Sequence, residues 1–173
     1  MTKPVLTYPE PILRKKTSPV EKITEEIFEL VDTMVETMAA EDGVGLAANQ
    51  VGSAHRVFVI NTAPGDEKVD PVVCINPVVL QQEGEIVDEE GCLSFPGLYL
   101  TINRPTKVRV YARNLYNEGF VLELSGLLAR AAMHEVDHLN GVLFIDRAAA
   151  DDQSKVEKYC EDAARNTEVV RDR

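Results

Sequence analysis

The spacing of apolar positions changes along the chain, and each change predicts an element. Ile23, Ile27, Leu30, Val31, Met34, Val35 and Met38 recur at steps of three and four, the stripe of an amphipathic helix. Thr24 stands at its N-cap, Glu25 and Glu26 suit the positive end of the dipole, Ile23 is placed to staple against Phe28, and Gly43 is the expected terminator. The middle of the chain shifts to short β-branched runs: 56–60, 71–75, 77–80 and 107–111, with Asn117-Glu-Gly119 as a hairpin turn into a run at 120–124. Helical spacing returns from Ser125, a good N-cap, to Asn140-Gly141. A polar tail from Asp151 to Arg173 predicts a third helix with Val156, Tyr159 and Cys160 as its apolar anchors. The segment from Tyr8 to Lys16 is broken by prolines and is expected to be irregular. Strands grouped between helices predict an α+β fold of mostly antiparallel strands packed around the central helix. Residues 1–150 read as one domain carrying the chemistry and 151–173 as a helical tail.

Length agrees with one domain, since 173 residues are too few for two full-sized ones. Charge narrows the partners. Eighteen basic against 29 acidic residues give a net charge of -11, which repels phosphate and excludes autonomous nucleic-acid binding. No apolar run approaches the ~20 residues of a membrane span, and the first ten residues lack a secretory apolar core. A cytoplasmic location is expected. The three cysteines, Cys74, Cys92 and Cys160, are odd in number and far apart, so they do not form a disulfide framework.

The chemistry concentrates in His134-Glu135-Val136-Asp137-His138. Side chains four apart on a helix lie one turn above each other, so both imidazoles can reach one cation with Glu135 on the flank of the same face. Leu127 and Ala131 project onto that arc. Leu128, Ala132, Val136 and Leu139 project opposite, toward the sheet, and Met133 projects beside the metal face. His55, the remaining histidine, reads as plain surface. A catalytic zinc-like site needs a third protein ligand and an open position. Downstream, Glu157 and Glu161 on the tail helix stand at spacings used by some metalloproteases. Upstream, Cys92 lies between Gly91 and Pro96-Gly97, in a turning backbone that can present a thiolate. Cys74 reads as core, and Cys160 belongs to the tail. A glycine-rich stretch from Gly43 to Gly52 lacks the ending of a phosphate loop, and its Gln50 is a candidate amide donor.

Together these blocks resemble peptide deformylase, which carries a Gly-x-Gly-x-Ala-Ala-x-Gln block, a Glu-Gly-Cys-Leu-Ser block and a His-Glu helix ending in Asp-His. The likeness extends to the segment from Pro9 to Arg14 and to the run from Leu139 to Phe144, and so spans most of residues 1–147. The resemblance implies one divalent metal per chain, held by Cys92, His134 and His138: Fe(II), with Zn(II) or Ni(II) able to substitute. It implies Glu135 as general acid/base, with Gln50 and the backbone N–H of Leu93 holding the oxyanion. Gly45 would pair with the substrate backbone as an added strand, and Val44, Glu90, Leu127, Arg130 and Ala131 would lie near the pocket for the first side chain. The implied reaction removes the formyl group from formyl-methionyl nascent chains and releases formate, by attack of a hydroxide that the metal makes available near neutrality. Two positions differ from many members: Met133 stands in place of Gln, and Tyr99 in place of Arg. The tail carries seven acidic and five basic residues, so it is expected to be a solvated helix that makes at most a transient ribosome contact. Asp137 is expected to pair with Arg104 and brace the metal helix.

Overall fold

The apolar stripe near the N-terminus forms α1 (Glu25–Ala40), which buries Ile27, Val31, Met34 and Met38. The computed structural model describes residues 1–171, with side chains as far as Thr167. Thr24 holds the N-cap position, where its backbone carbonyl, not its hydroxyl, accepts from the N–H groups of Ile27 and Phe28. Ile23 packs into the core beneath α1, while Phe28 stays exposed. The helix ends one residue earlier than the glycine suggests. Asp42 takes the left-handed conformation (φ 52°), and Gly43 N–H returns to Met38 O at 2.9 Å. That is a Schellman closure, which a short polar side chain also allows.

Seven strands follow among the described residues. β1 (Gly45–Ala47), β2 (Val57–Ile60), β3 (Val72–Glu83), β6 (Lys107–Arg113) and β7 (Gly119–Ser125) form one sheet in the order β1-β2-β3-β6-β7. β4 (Ile86–Gly91) and β5 (Tyr99–Arg104) form a separate two-stranded ribbon. All the paired strands are antiparallel. β3 joins two of the expected runs into one strand across Asn76-Pro77. Its register shifts there and Asn76 adopts φ 53°. The Asn76 side-chain amide accepts from Val20 N–H and donates to Val20 O, both at 2.8 Å, and so ties the segment ahead of α1 to the bulge, while Asn76 N–H donates to Arg56 O at 2.9 Å.

β2 is buried at every residue because helices cover both of its faces. Phe58 and Ile60 pack with α2 (Leu127–Leu139), while Val57 and Val59 pack with α1. An unbroken β-branched run is the sequence form of that sandwiching. α2 starts later than expected. Ser125 pairs with Lys107 in the sheet, so Gly126 (φ 61°) becomes the N-cap. Ala132, Val136 and Leu139 face the sheet as projected, and Leu128 packs beside them. Met133 joins the same cluster. Cys74 is also in this core, where burial pushes its thiol up to about 12.

A third cluster gathers Leu13, Phe95, Leu98, Leu100, Ile102, Leu143, Phe144, Ile145 and Val156. It lies between β5 and α3 (Gln153–Arg171), with Tyr159 and Cys160 packed against it. Residues 172–173 of the expected tail lie outside the described residues. Among those described, no helix is long and apolar enough to cross a membrane.

Gly141 closes α2 with φ 73°, and a Cβ there would collide with the carbonyl oxygen of Arg14. Backbone cannot yield as a side-chain tip can. Gly141→Ala is therefore expected to cost about 2 kcal/mol or more, from the left-handed conformation and the clash together. Urea denaturation at constant m-value measures it.

Candidate metal centre

α2 sets His134 and His138 one turn apart, with their Nε2 atoms 3.2 Å from each other. Cys92 follows β4 directly and brings its sulfur to 3.3 Å from His138 Nε2. Among the described residues these three form the one group of metal-ligating type whose donor atoms all lie within 4.8 Å of one another. Ligands around a tetrahedral zinc-like ion stand about 3.3–3.6 Å apart, so the spacing suits a single cation. Glu157 and Glu161 lie on α3 and are solvent-exposed; neither belongs to the group. The third donor near the histidines is the sulfur.

Electrostatics point the same way. Burial works against a proton on His134, yet the Cys92 sulfur and the Glu90 carboxylate hold its pKa well above the usual histidine range. A cation held by the same three donors would take the place of that charge. Burial and the neighbouring His134 hold His138 well below its usual range, in the neutral form that ligates metals.

The supporting network is ionic and buried except at Arg147. His134 Nδ1 lies 2.7 Å from Glu90 Oε2, which leaves Nε2 aimed at the sulfur. Arg104 donates to both oxygens of Glu90, at 3.1 and 2.8 Å, and to Asp137 at 2.6 Å. Arg130 reaches Glu90 at 3.2 Å, and Arg147 grips Asp137 through two further bonds. Burial alone would raise the Glu90 carboxyl; the hydrogen bonds from His134 and Arg104 override it and bring it down to about 2. The expected Arg104–Asp137 pair is present. The role of Arg104 as the hub of two carboxylates has no signal in sequence, because a lone Arg after Ile102-Asn103 looks like a solvated strand end.

Eleven of the twelve candidate site residues line one cavity of about 440 Å³: Val44, Gly45, Gln50, Glu90, Cys92, Leu93, Leu127, Arg130, Ala131, His134 and Glu135. His138 lies just behind, 1% exposed. Glu90 and Arg130 form part of the wall but spend their charged groups on each other and on the network. Tyr99 also lines the cavity and lies against Gly91, where a Cβ would come within 2.9 Å of its ring. Gln50 does two things. Its Oε1 accepts from Ala47 N–H at 3.0 Å, which turns Nε2 toward Ser94 Oγ (3.1 Å) and Cys92 Sγ (3.9 Å). Ser94 is a site neighbour that sequence reasoning misses; a buried serine in a turn carries no periodic mark.

Glu135 is 4% exposed, and its Oε2 has no hydrogen-bond partner. Burial, more than any neighbouring charge, pushes its carboxyl up to about 7. Gly45 makes the room: a Cβ there would stand 2.9 Å from both Cγ and Oε1 of Glu135. β1, which carries Gly45, pairs only with β2 and forms an edge of its sheet.

The polypeptide deformylase family model matches residues 2–154. The chain belongs to the peptide deformylase family. It is 50% identical over 140 residues to a peptide deformylase of Clostridium botulinum, covering 81% of this chain and 92% of that one. A crystal structure of a peptide deformylase from Legionella pneumophila superposes with a TM-score of 0.87 at 35% identity, over 96% of this chain and 98% of the other. The Arabidopsis thaliana peptide deformylase 1B in complex with an inhibitor gives a TM-score of 0.90 at 37% identity, over 95% and 91%. Peptide deformylases are metal-dependent hydrolases of protein biosynthesis that remove the N-terminal formyl group from nascent peptides. This chain is an enzyme of that family.

Two outcomes test the site's physics without substrate. Arg104→Leu removes the guanidinium that two buried carboxylates share, leaving Glu90 to Arg130 and His134 and Asp137 to Arg147, and is expected to cost about 3 kcal/mol, read by denaturation. In the chelated protein, Glu135→Gln is expected to stabilise, and more so at pH 8 than at pH 5. Between its unfolded value near 4.5 and about 7, the folded protein keeps a proton that the unfolded chain has released, so rising pH removes stability from the parent alone. The gain reaches about 3 kcal/mol at most.

Proposed function

We propose that this enzyme hydrolyses the formamide of formyl-methionyl peptides at the cavity between β1 and β4, with Cys92, His134 and His138 holding a divalent metal. The observation that carries the reading is the meeting of one sulfur and two imidazole nitrogens beside an unpartnered, buried glutamate. The metal is Fe(II), for which Zn(II) or Ni(II) can substitute; a thiolate is soft enough for all three. When bound, it polarises the formyl carbonyl and lowers the pKa of water at the site.

The chain's own groups do the rest. Glu135, with a pKa near neutrality, takes a proton from the attacking water and delivers it to the departing amine. The formyl C–N bond breaks, a C–O bond forms, and formate and a free amino terminus leave. Gln50 Nε2 and the Leu93 N–H donate to the oxygen that gains charge. The open edge of β1 at Gly45 pairs with the peptide backbone as an added strand. Val44, Leu127 and Ala131, against the wall that Glu90 and Arg130 stiffen, take the methionine side chain.

The catalytic domain in this reading is 1–150, and 151–173 is a helical appendage. The enzyme works in the cytoplasm on nascent chains, and any ribosome contact is transient. The acidic chain does not bind nucleic acid on its own.

Incubation with formyl-Met-Ala-Ser is expected to release formate, while acetyl-Met-Ala-Ser stays intact because the narrow site rejects the added methyl. Equal turnover of the two would overturn the reading. Gln50→Ala is expected to keep its metal and lose about 10²–10³ in kcat. Cys92→Ser is expected to lose metal by elemental analysis, whereas Glu157→Gln and Glu161→Gln keep it.

A further inference from the structure

Cys92 sits in the short connection between β4 and β5, not on either strand. That connection is folded on itself, with Phe95 N–H donating to Cys92 O at 2.9 Å and Leu98 N–H to Phe95 O at 3.1 Å. Metal coordination tolerates only about ±0.2 Å in ligand distance, so a ligand on a loop needs external support. Two segments distant in sequence supply it. Tyr8 N–H donates to Ser94 O at 2.9 Å, and the Tyr8 ring stacks on Phe95 at 5.2 Å. From the opposite end of the chain, the Tyr159 ring meets Phe95 at 5.7 Å and its hydroxyl donates to Pro96 O at 3.3 Å. Phe95 in turn packs on Phe144 at 5.1 Å, and Phe144 meets the His134 ring edge-on at 5.9 Å.

The attachment of α3 is concentrated at its start. Asp152, just ahead of it, accepts from Thr101 N–H at 2.6 Å, Lys155 Nζ donates to Tyr99 O at 3.0 Å, and Val156 is buried in the third cluster. Together with Tyr159 these positions make one stripe at i, i+3, i+4 and i+7. The stripe falls on residues 95–101, the connection and the strand that follow Cys92. Farther along, Glu161 and Arg165 are about 70% exposed. A helix that only needed to cover apolar surface would not aim a ring and a hydroxyl at one connection and an ammonium at the first residue of the strand after it.

We propose that Tyr159 is a positioning residue for the thiolate. By seating Phe95 and Pro96, it fixes the connection so that Cys92 Sγ stays within reach of both histidines. The inference rests on Cys92 being a metal ligand, and it assigns α3 a part in the metal centre. An aromatic ring with a hydroxyl suits the task, since it adds contact area and a directional bond with little rotamer freedom to lose.

Cobalt(II) loading tests it, because a Co(II)–thiolate bond gives a charge-transfer absorption that purely structural damage elsewhere does not shift. Tyr159→Ala is expected to weaken or shift that band and to speed loss of Co(II) to a chelator by about tenfold or more. kcat should fall more than KM rises. Tyr159→Leu keeps apolar bulk for folding and should show the same changes. Tyr159→Phe keeps the ring on Phe95 and should hold metal within about threefold of the parent. Lys158→Ala, on the exposed face, should match the parent. If Tyr159→Ala fails to fold, Tyr159→Leu decides the matter. A parent-like band and parent-like metal loss in folded Tyr159→Leu would overturn the proposal and leave the Cys92 ligand reading intact. A parent band that Cys92→Ser leaves unchanged would overturn that reading and this one with it.

Discussion

The site depends on one buried guanidinium. Arg104 lies between the carboxylates of Glu90 and Asp137, with its side chain only 2% exposed. Three ionised groups out of water are costly unless each satisfies the others, and here almost every donor meets an acceptor. The consequences reach both sides. Glu90 stays ionised and fixes the tautomer of His134, while Asp137 fixes the rotation of α2 that carries both histidines. Arg104 also ends β5, so the same residue ties the two-stranded ribbon to the helix. Fold stability and ligand orientation are therefore one interaction viewed from two ends.

Around that hub, rigid and irregular backbone divide the work. The histidines and Glu135 ride on a helix packed against the five-stranded sheet, and the sulfur comes from a short connection. The connection gives access to the cavity; the helix gives precision. β1 lies at the sheet edge with an unpaired side, and its glycine lets the backbone pass Glu135 without a clash. An open edge is ordinarily a hazard for aggregation. Here it lines the wall of the cavity, and it is the edge on which the proposed function seats an extended peptide.

Much of the element pattern is legible in sequence, and the exceptions share a cause. β4 escapes the pattern because its one buried position is Glu90, a charge where a strand calls for an apolar residue. β5 alternates Leu100, Ile102 and Arg104 inward, and the arginine hides the period after two beats. Both strands are obscured by the network that makes the site work. Helical projection puts Met133 beside the histidines, and burial in the cluster between α2 and the sheet is what spacing along one helix does not show. Asp42, not Gly43, turns the chain because the left-handed region also admits short polar side chains.

The sequence by itself determined the local facts: helical stripes, β-branched runs, histidines one turn apart and a glycine-flanked cysteine. These follow from backbone periodicity, which each short segment carries alone. Only the tertiary structure decided which third donor joins the histidines, that Arg104 serves two carboxylates, and that Gln50 and Ser94 meet beside the sulfur. Residues 50, 92, 104 and 134 lie far apart along the chain, and nothing in local spacing encodes a distance across that gap. Burial of three separate apolar clusters brings them together, and burial also raises Glu135 while the cations around Glu90 lower it. The same carboxyl group takes two opposite proton affinities because one is buried without a partner on Oε2 and the other is surrounded by positive charge.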